Sequence, residues 1–336
     1  MSITEILAHS RVPGAQMIHR RGSEVVSEIN HGHLSVATTS APVTSASVFQ
    51  AASLSKVVFS YLTLRAVDSG QLELDTPLSA YFDSPRTHES EAARAITARQ
   101  ALNHTTGLPN WVDGAGTEDS VLNPHVAPGT RFTYSGDGFF PLQQTLEALD
   151  GRPLELMAQQ DLFSSFGMED SSFVFREADA SRTAAGHGAD GTGTGISRFR
   201  RANSAFTLTT AARDYSRFLE LAVCHGEGLR PDTHVAWLST SSDARLTTER
   251  SEGETPTVTW GLGVGLEANR HGPAVWHWGD NGNHRAFFVA VPDRDESVVM
   301  FFNSANGQKA AAPILERVLP GRRFASLDWV DAYDRG

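Results

Sequence analysis

The sequence predicts an α/β protein of the α+β kind: an antiparallel sheet flanked by helices, with a mostly helical region inserted into it. Three observations carry that expectation. Apolar and polar residues alternate near the start of the chain, strand-like segments joined by turn residues recur near its end, the middle reads as helices and loops, and 336 residues with 40% hydrophobic content suffice for a substantial core. Residues 12–35 alternate on both sides of Arg21-Gly22, as a β-hairpin does. Ser53 to Ser69 is apolar over most of its circumference and stops at Gly70, the pattern of a core helix with a glycine C-cap. Helical segments follow within Ile96–Pro109 and Phe139–Gly151. After a polar loop around Ser239 to Glu254 the chain turns to strands at Thr257–Ala268, Ala274–Gly279, His284–Pro292 and Glu296–Ser304. Turn residues join them at His271-Gly272-Pro273 and Asp293-Arg294-Asp295, and Gln308–Leu319 reads as a last helix. The expected division is a discontinuous sheet domain, 1–70 with 206–336, around a helical insert, 71–205.

Composition narrows the function. A net charge of −11 leaves no basic face for nucleic acid or an anionic membrane. The densest basic run, Ser197 to Arg201, follows a Gly/Thr stretch and reads as a loop with a local anchor. Cys224 stands alone, which excludes an intrachain disulfide, and the start shows no secretory signal pattern. No apolar run is long enough to span a bilayer, so cytoplasmic residence is the expectation.

One residue breaks the pattern of the core helix. The chain holds 28 lysines and arginines, of which only Lys56 and Lys309 are lysine. A guanidinium cannot release its proton in a protein, whereas a desolvated ammonium can. Ser53 lies three residues earlier, which puts both side chains on one helix face within hydrogen-bond reach. At the start of the helix, unpaired N–H groups favour developing negative charge. A serine beside a neutral amine is a nucleophile for acyl transfer. Spacing alone also fits Ser53 as an ordinary N-cap.

The order of segments says more than spacing. "FQAASLSKVV", "GQLELDTPLSAYF", "TARQALNHTTGLP", "PGTRFTYSGDGFFPLQQTLEALDG" and "HWGDNG" follow one another as in the SxxK serine hydrolases. From about Val12 to Asn303 the chain resembles the penicillin-recognising superfamily, in particular the class C β-lactamase-like esterases (family VIII) and D-aminopeptidase-like peptidases, and hence a β-lactamase/transpeptidase-like fold. The resemblance implies that Ser53 is the acylated nucleophile, Lys56 its proton acceptor and Tyr134 the residue that shuttles a proton to the leaving group. It sets His277-Trp278-Gly279 where the family carries Lys-Thr-Gly or a His-x-Gly variant, with His277 as a catalytic candidate. Strand alternation sends His277 and Gly279 to one face. The backbone N–H groups of Ser53 and Asp280 are the expected oxyanion hole.

Two departures weaken recognition of a β-lactam or a peptidyl-D-alanine. Gly136 stands for an asparagine that grips the substrate amide, and His277 stands for a lysine that supports carboxylate binding. Gly136, Trp278, Gly279, Arg285 and Trp111 are the expected substrate contacts, with Arg285 open between a substrate carboxylate and a surface salt bridge. His104 and Asp75 match positions that support the fold. His31 and His33 lack a third ligand at metal spacing, Gly261–Gly265 opens no helix and so is no phosphate loop, and there is no Gly-x-Ser-x-Gly elbow. The expected function is a cytoplasmic serine hydrolase, carboxylesterase-like and possibly transacylating, which forms an acyl-enzyme on a small-molecule ester or amide. It needs no metal or cofactor and no nucleic-acid or membrane partner, and the sequence gives no oligomeric state. A D-amino-acid amidase or peptidase, a β-lactamase and an inert sensor homologue are the alternatives.

Overall fold

The strand-like segments at the two ends of the chain resolve into one sheet. The computed structural model describes residues 1–37, 39–114, 119–244, 258–269, 272–320 and 324–334. Among them the sheet strands are β1 (Gly14–Arg21), β2 (Glu24–Gly32), β3 (Ser242–Asp243), β4 (Val258–Trp260), β5 (Gly265–Asn269), β6 (Gly272–Asp280), β7 (Arg285–Val291) and β8 (Glu296–Phe302). They run antiparallel in the order β2-β1-β8-β7-β6-β5-β4-β3, so the N-terminal hairpin lies against the last strand. Gly22, at φ +53°, makes the tight turn of that hairpin.

The period of two fixes which side chains meet which layer. Ile18, Phe288, Val299 and Phe301 join the core with α2 (Ser55–Asp68) and α3 (Phe139–Asp150). Met17, Phe287, Met300 and Phe302 face the other way, under α1 (Ile3–His9), α4 (Gly307–Val318) and α5 (Ala325–Tyr333). Each such side chain contributes about 1.5–3 kcal/mol through burial. Two layers of helices therefore hold the central strands in place.

Helix α2 is the expected core helix: Ser55 to Leu64 are all buried, and Gly70 follows at φ +76°. Helix α3 ends at Gly151, at φ +78°, for the same reason. Three features differ from the sequence expectation. The run 257–268 is two strands, because the Gly261–Val264 stretch turns back on itself and the Gly261 N–H donates to the Val264 carbonyl at 2.9 Å. Gly263 sits there at φ +89°, where a Cβ would collide with the Ser60 hydroxyl. Helices α1 and α5 were not expected at all, although α5 repeats apolar contacts at Trp329, Val330 and Tyr333. The turn at His271 and most of the polar stretch up to Glu254 lie outside the described residues.

Candidate active site

Strand Phe49–Gln50 pairs with Thr209–Thr210 and delivers the chain into a 3-10 turn, Ala52–Leu54, that precedes α2. Ala52 takes φ +48°, a left-handed conformation that non-glycine residues seldom adopt, and so turns Ser53 out at the helix mouth. The Ser55 hydroxyl fixes this turn by donating to the Ala52 carbonyl at 2.5 Å and accepting from the Leu208 N–H at 3.0 Å. On the far side, a Cβ at Gly279 would stand 2.6 Å from the Ala51 carbonyl oxygen. Gly279 is needed for β6 to lie against the serine turn, a packing reason beside the substrate contact expected of it.

Lys56 is fully buried one turn along, and its Nζ reaches Ser53 Oγ at 3.0 Å and the Ala205 carbonyl at 2.8 Å. Around it stand three rings, with centroids at 5.1 Å (Tyr134), 5.6 Å (Phe139) and 6.0 Å (Trp111). No carboxylate forms an ion pair with it among the described residues. Burial therefore acts unopposed and pulls its pKa down to about 7. At neutral pH a sizeable fraction is free amine, able to accept the serine proton.

Tyr134 lines the same cavity, held by its neighbours in the loop. The Thr133 N–H donates to the His104 carbonyl at 2.7 Å and the Ser135 N–H to His104 Nδ1 at 3.1 Å. The His104 ring lies against Tyr134, with centroids 4.3 Å apart. His104 thus positions the tyrosine, and Asp75 is ion-paired with Arg99 at 2.6 Å away from the chemistry. The Tyr134 hydroxyl is buried without a protein hydrogen-bond partner, and burial raises its pKa well above the ordinary phenol value while the nearby Ser53 side chain pulls the other way. The buried ring is therefore a neutral acid at physiological pH.

His277 is fully buried on β6, its Nδ1–H donating to the Trp278 carbonyl at 2.6 Å. Burial foremost, then the charge of Lys56, pushes its pKa down to about 3, so it is neutral. The cavity wall from this strand is built by Trp278 and Asp280, and His277 lies behind it. Arg285 ion-pairs with Asp280, the salt-bridge outcome of the two left open for it. Gly136 lies beneath Trp111: a Cβ there would overlap the indole.

The cavity has a volume of about 410 Å³, with Ser53 at its floor and Tyr134, Trp111 and Trp278 among its walls. Several lining residues carried no signal in the sequence. Asn281 Nδ2 donates to Gln50 Oε1 at 2.6 Å, and Gln50 Nε2 donates to Ser197 Oγ at 3.0 Å, tying β6, the serine strand and the Ser197 loop together. In the sequence that loop is only a connection with a local anchor, yet Ser197 and Phe199 face the cavity, while Arg198 is ion-paired with Glu177. Tyr333 and Asp334, from the end of α5, close the remaining side. Among the described residues no group of three or more His, Cys, Asp or Glu side chains is placed to hold a metal, and no helix is long and apolar enough to cross a membrane.

The chain is similar to known proteins over most of its length. The family profile described as beta-lactamase matches residues 2–320. Penicillin-binding protein 4 of Amycolatopsis lactamdurans is 28% identical over 277 residues, which is 76% of this chain and 71% of that protein. Esterase EstB of Burkholderia gladioli is 25% identical over 200 residues, 52% of this chain and half (50%) of its own length. Among solved structures, a class C beta-lactamase superposes with a TM-score of 0.79 at 17% identity, covering 96% of this chain and 94% of that one, a likeness of fold.

Proposed function

The chain belongs to the beta-lactamase family of serine hydrolases, and from that premise we propose that it hydrolyses carboxylic esters of small molecules through an acyl-enzyme on Ser53. The observation that carries this is the 3.0 Å contact between Ser53 Oγ and a Lys56 amine whose pKa burial lowers to about 7, on the floor of an aromatic cavity.

Ser53 Oγ attacks the ester carbonyl as its proton passes to Lys56 Nζ. The developing oxyanion is met by the N–H groups of Ser53 and Asp280. Strand β6 pairs with β5 only up to Trp276, so its edge from His277 to Asp280 is free on that flank to face a substrate. Collapse of the adduct expels the alkoxide, which leaves as the alcohol by taking the Tyr134 proton, and the Lys56 ammonium, 5.1 Å from the Tyr134 ring centroid, returns a proton to the phenolate. Water then repeats the sequence on the acyl-enzyme, with Lys56 again the base.

An ester is favoured over a β-lactam by the loop after Tyr134. The asparagine side chain that grips an amide in penicillin-recognising relatives has no room at Gly136, since the Trp111 indole fills the place of its Cβ. Exposed Asp280, Gly282 and Asp334 at the rim leave the acyl-enzyme open to water, which supports hydrolysis over transfer to an acceptor. The similarity to esterase EstB points the same way.

The test is a panel of short- and long-acyl p-nitrophenyl esters, D-amino-acid anilides and nitrocefin, with intact-mass detection of a fluorophosphonate adduct and the Ser53→Ala control. Ester turnover and an adduct, both lost in Ser53→Ala, are expected. An unlabelled Ser53 with no turnover would make the protein an inert homologue, and preferred cleavage of nitrocefin or the anilides would move it to the lactamase or amidase class.

A further inference from the structure

The charges around the cavity are lopsided. Its lining carries two formally charged residues, Asp280 and Asp334, and both are carboxylates. Among the described residues Arg285 acts on both carboxylates, but it is ion-paired with Asp280 and takes up that charge. Asp334 has no ion pair among the described residues. Its carboxyl is weakened as an acid by partial desolvation at the cavity rim and then by Asp280, with only a lesser opposing pull from Arg285. Among the described residues no ion pair offsets Asp334, and negative charge sits at one side of the mouth. Lys56 cannot cancel it, being buried behind Ser53 and close to half-deprotonated at neutral pH.

The wall beside Asp334 suits a cation as well. Tyr333 sits 5.2 Å from Trp278, which in turn lies 4.5 Å from Tyr134, ring centroid to ring centroid. These three rings all line the cavity, and aromatic faces attract ammonium groups. Trp329 stacks on Tyr333 from behind at 5.3 Å and 8°, which fixes the ring in place. The cavity also holds one unpartnered buried polar group, the Tyr134 hydroxyl, next to the nucleophile. An acyl donor whose carbonyl sits on Ser53 would thus direct its remaining substituent at Tyr333 and Asp334.

Resting on the esterase reading above, we infer that the end of the C-terminal helix sets charge selectivity: Tyr333 and Asp334 favour acyl donors bearing an ammonium group and turn away those bearing a carboxylate. Neither residue takes part in bond making. They are specificity residues, acting by placing an aromatic face and a negative charge where the substrate's outer group must lie.

Three p-nitrophenyl esters of matched length test this: the butyrate, the 4-(trimethylammonio)butyrate and the hemiglutarate. The expected order of kcat/KM is cationic, neutral, anionic. In Asp334→Asn the cationic-to-anionic ratio should fall about tenfold, the size of one charge contact at a partly exposed wall, while Asp334→Glu keeps the preference. A ratio taken within one variant does not depend on how much of it folds. A wild-type preference for the hemiglutarate, or a ratio unmoved in Asp334→Asn, overturns the inference. If no ester is turned over, the esterase reading fails separately. Tryptophan-fluorescence titration with benzyltrimethylammonium and with phenylacetate then decides the charge question: tighter binding of the cation, weakened in Asp334→Asn, upholds it, and tighter binding of phenylacetate or no difference overturns it.

Discussion

Replacing Lys56 by methionine should make the protein more stable and inactive, and the gain should depend on pH in a way only a depressed amine can produce. Methionine matches the lysine stem in length, and its thioether suits the cage of Trp111, Tyr134 and Phe139. Burial lowers the lysine pKa from 10.5 to about 7, and at about 1.4 kcal/mol per unit the buried ammonium carries a penalty of about 5 kcal/mol. Loss of the contacts to Ser53 and the Ala205 carbonyl takes back part of this, about 1–3 kcal/mol for hydrogen bonds to a charged group. Below pH 7 both the folded and the unfolded chain hold the proton and the full penalty applies. Between about 7 and 10.5 only the unfolded chain holds it, so this group adds stability as pH rises and removes it as pH falls. Urea unfolding at pH 7 and pH 9 should therefore show the wild type gaining about 2 kcal/mol on Lys56→Met over that interval, other titrations being common to both. The wild-type kcat/KM should rise with pH through the same value near 7. Stability differences equal at the two pH values would mean that Lys56 keeps its charge throughout, and an amine that stays charged cannot be the base.

Tyr134→Phe removes a buried hydroxyl that has no protein partner, so its urea midpoint should hold or rise while kcat falls by about 10²–10⁴, the usual range for a lost proton donor. Gly136→Asn must displace the Trp111 indole; thermal unfolding should show a loss of about 1–3 kcal/mol, and nitrocefin turnover should not appear. Gly279→Ala presses a methyl against the Ala51 carbonyl and the Ala52 Cβ, at 2.6 and 3.0 Å. It should cut kcat for esters by shifting the Ser53 turn, with a smaller change in KM, and normal kcat would show that β6 yields without moving the serine.

What could be read from the sequence follows the range of the interactions. Ser53 and Lys56 lie one helical turn apart, so their contact is local and depends on little beyond α2 forming. The N-terminal hairpin announces itself through its period of two, and the central strands, buried on both faces, through short apolar runs bounded by turn residues. The walls of the cavity do not. Gln50, Asn281 and Ser197 meet only because a two-residue strand, the end of β6 and a distant loop converge, and a polar residue in a loop looks the same whether it lines a cavity or faces water. Helix α5 was legible and missed: Trp329, Val330 and Tyr333 recur at helical spacing. His277 shows the opposite limit, since alternation placed it on the expected face, but only the packing of Trp260 and Trp278 around it, at 5.4 and 5.3 Å, buries it behind the cavity.

The position of the cavity follows from where the sheet stops pairing. Strand β5 covers β6 only as far as Trp276, which leaves four residues of backbone without a strand on that flank. An uncovered edge of this kind is ordinarily a liability, closed by side chains or by a bulge. Here Trp278, Tyr134 and Tyr333 stand over it with centroids 4.5 and 5.2 Å apart, and the space they leave opens onto Ser53. Tyr134 belongs also to the ring cage of Trp111, Tyr134 and Phe139 around Lys56, and the burial of that amine is what lowers its pKa. Filling the edge with another strand would remove both the room for a substrate and the oxyanion donors, whereas opening it to water would return the lysine to its ordinary charge. The reactive serine therefore requires the edge to be covered by rings and not by backbone.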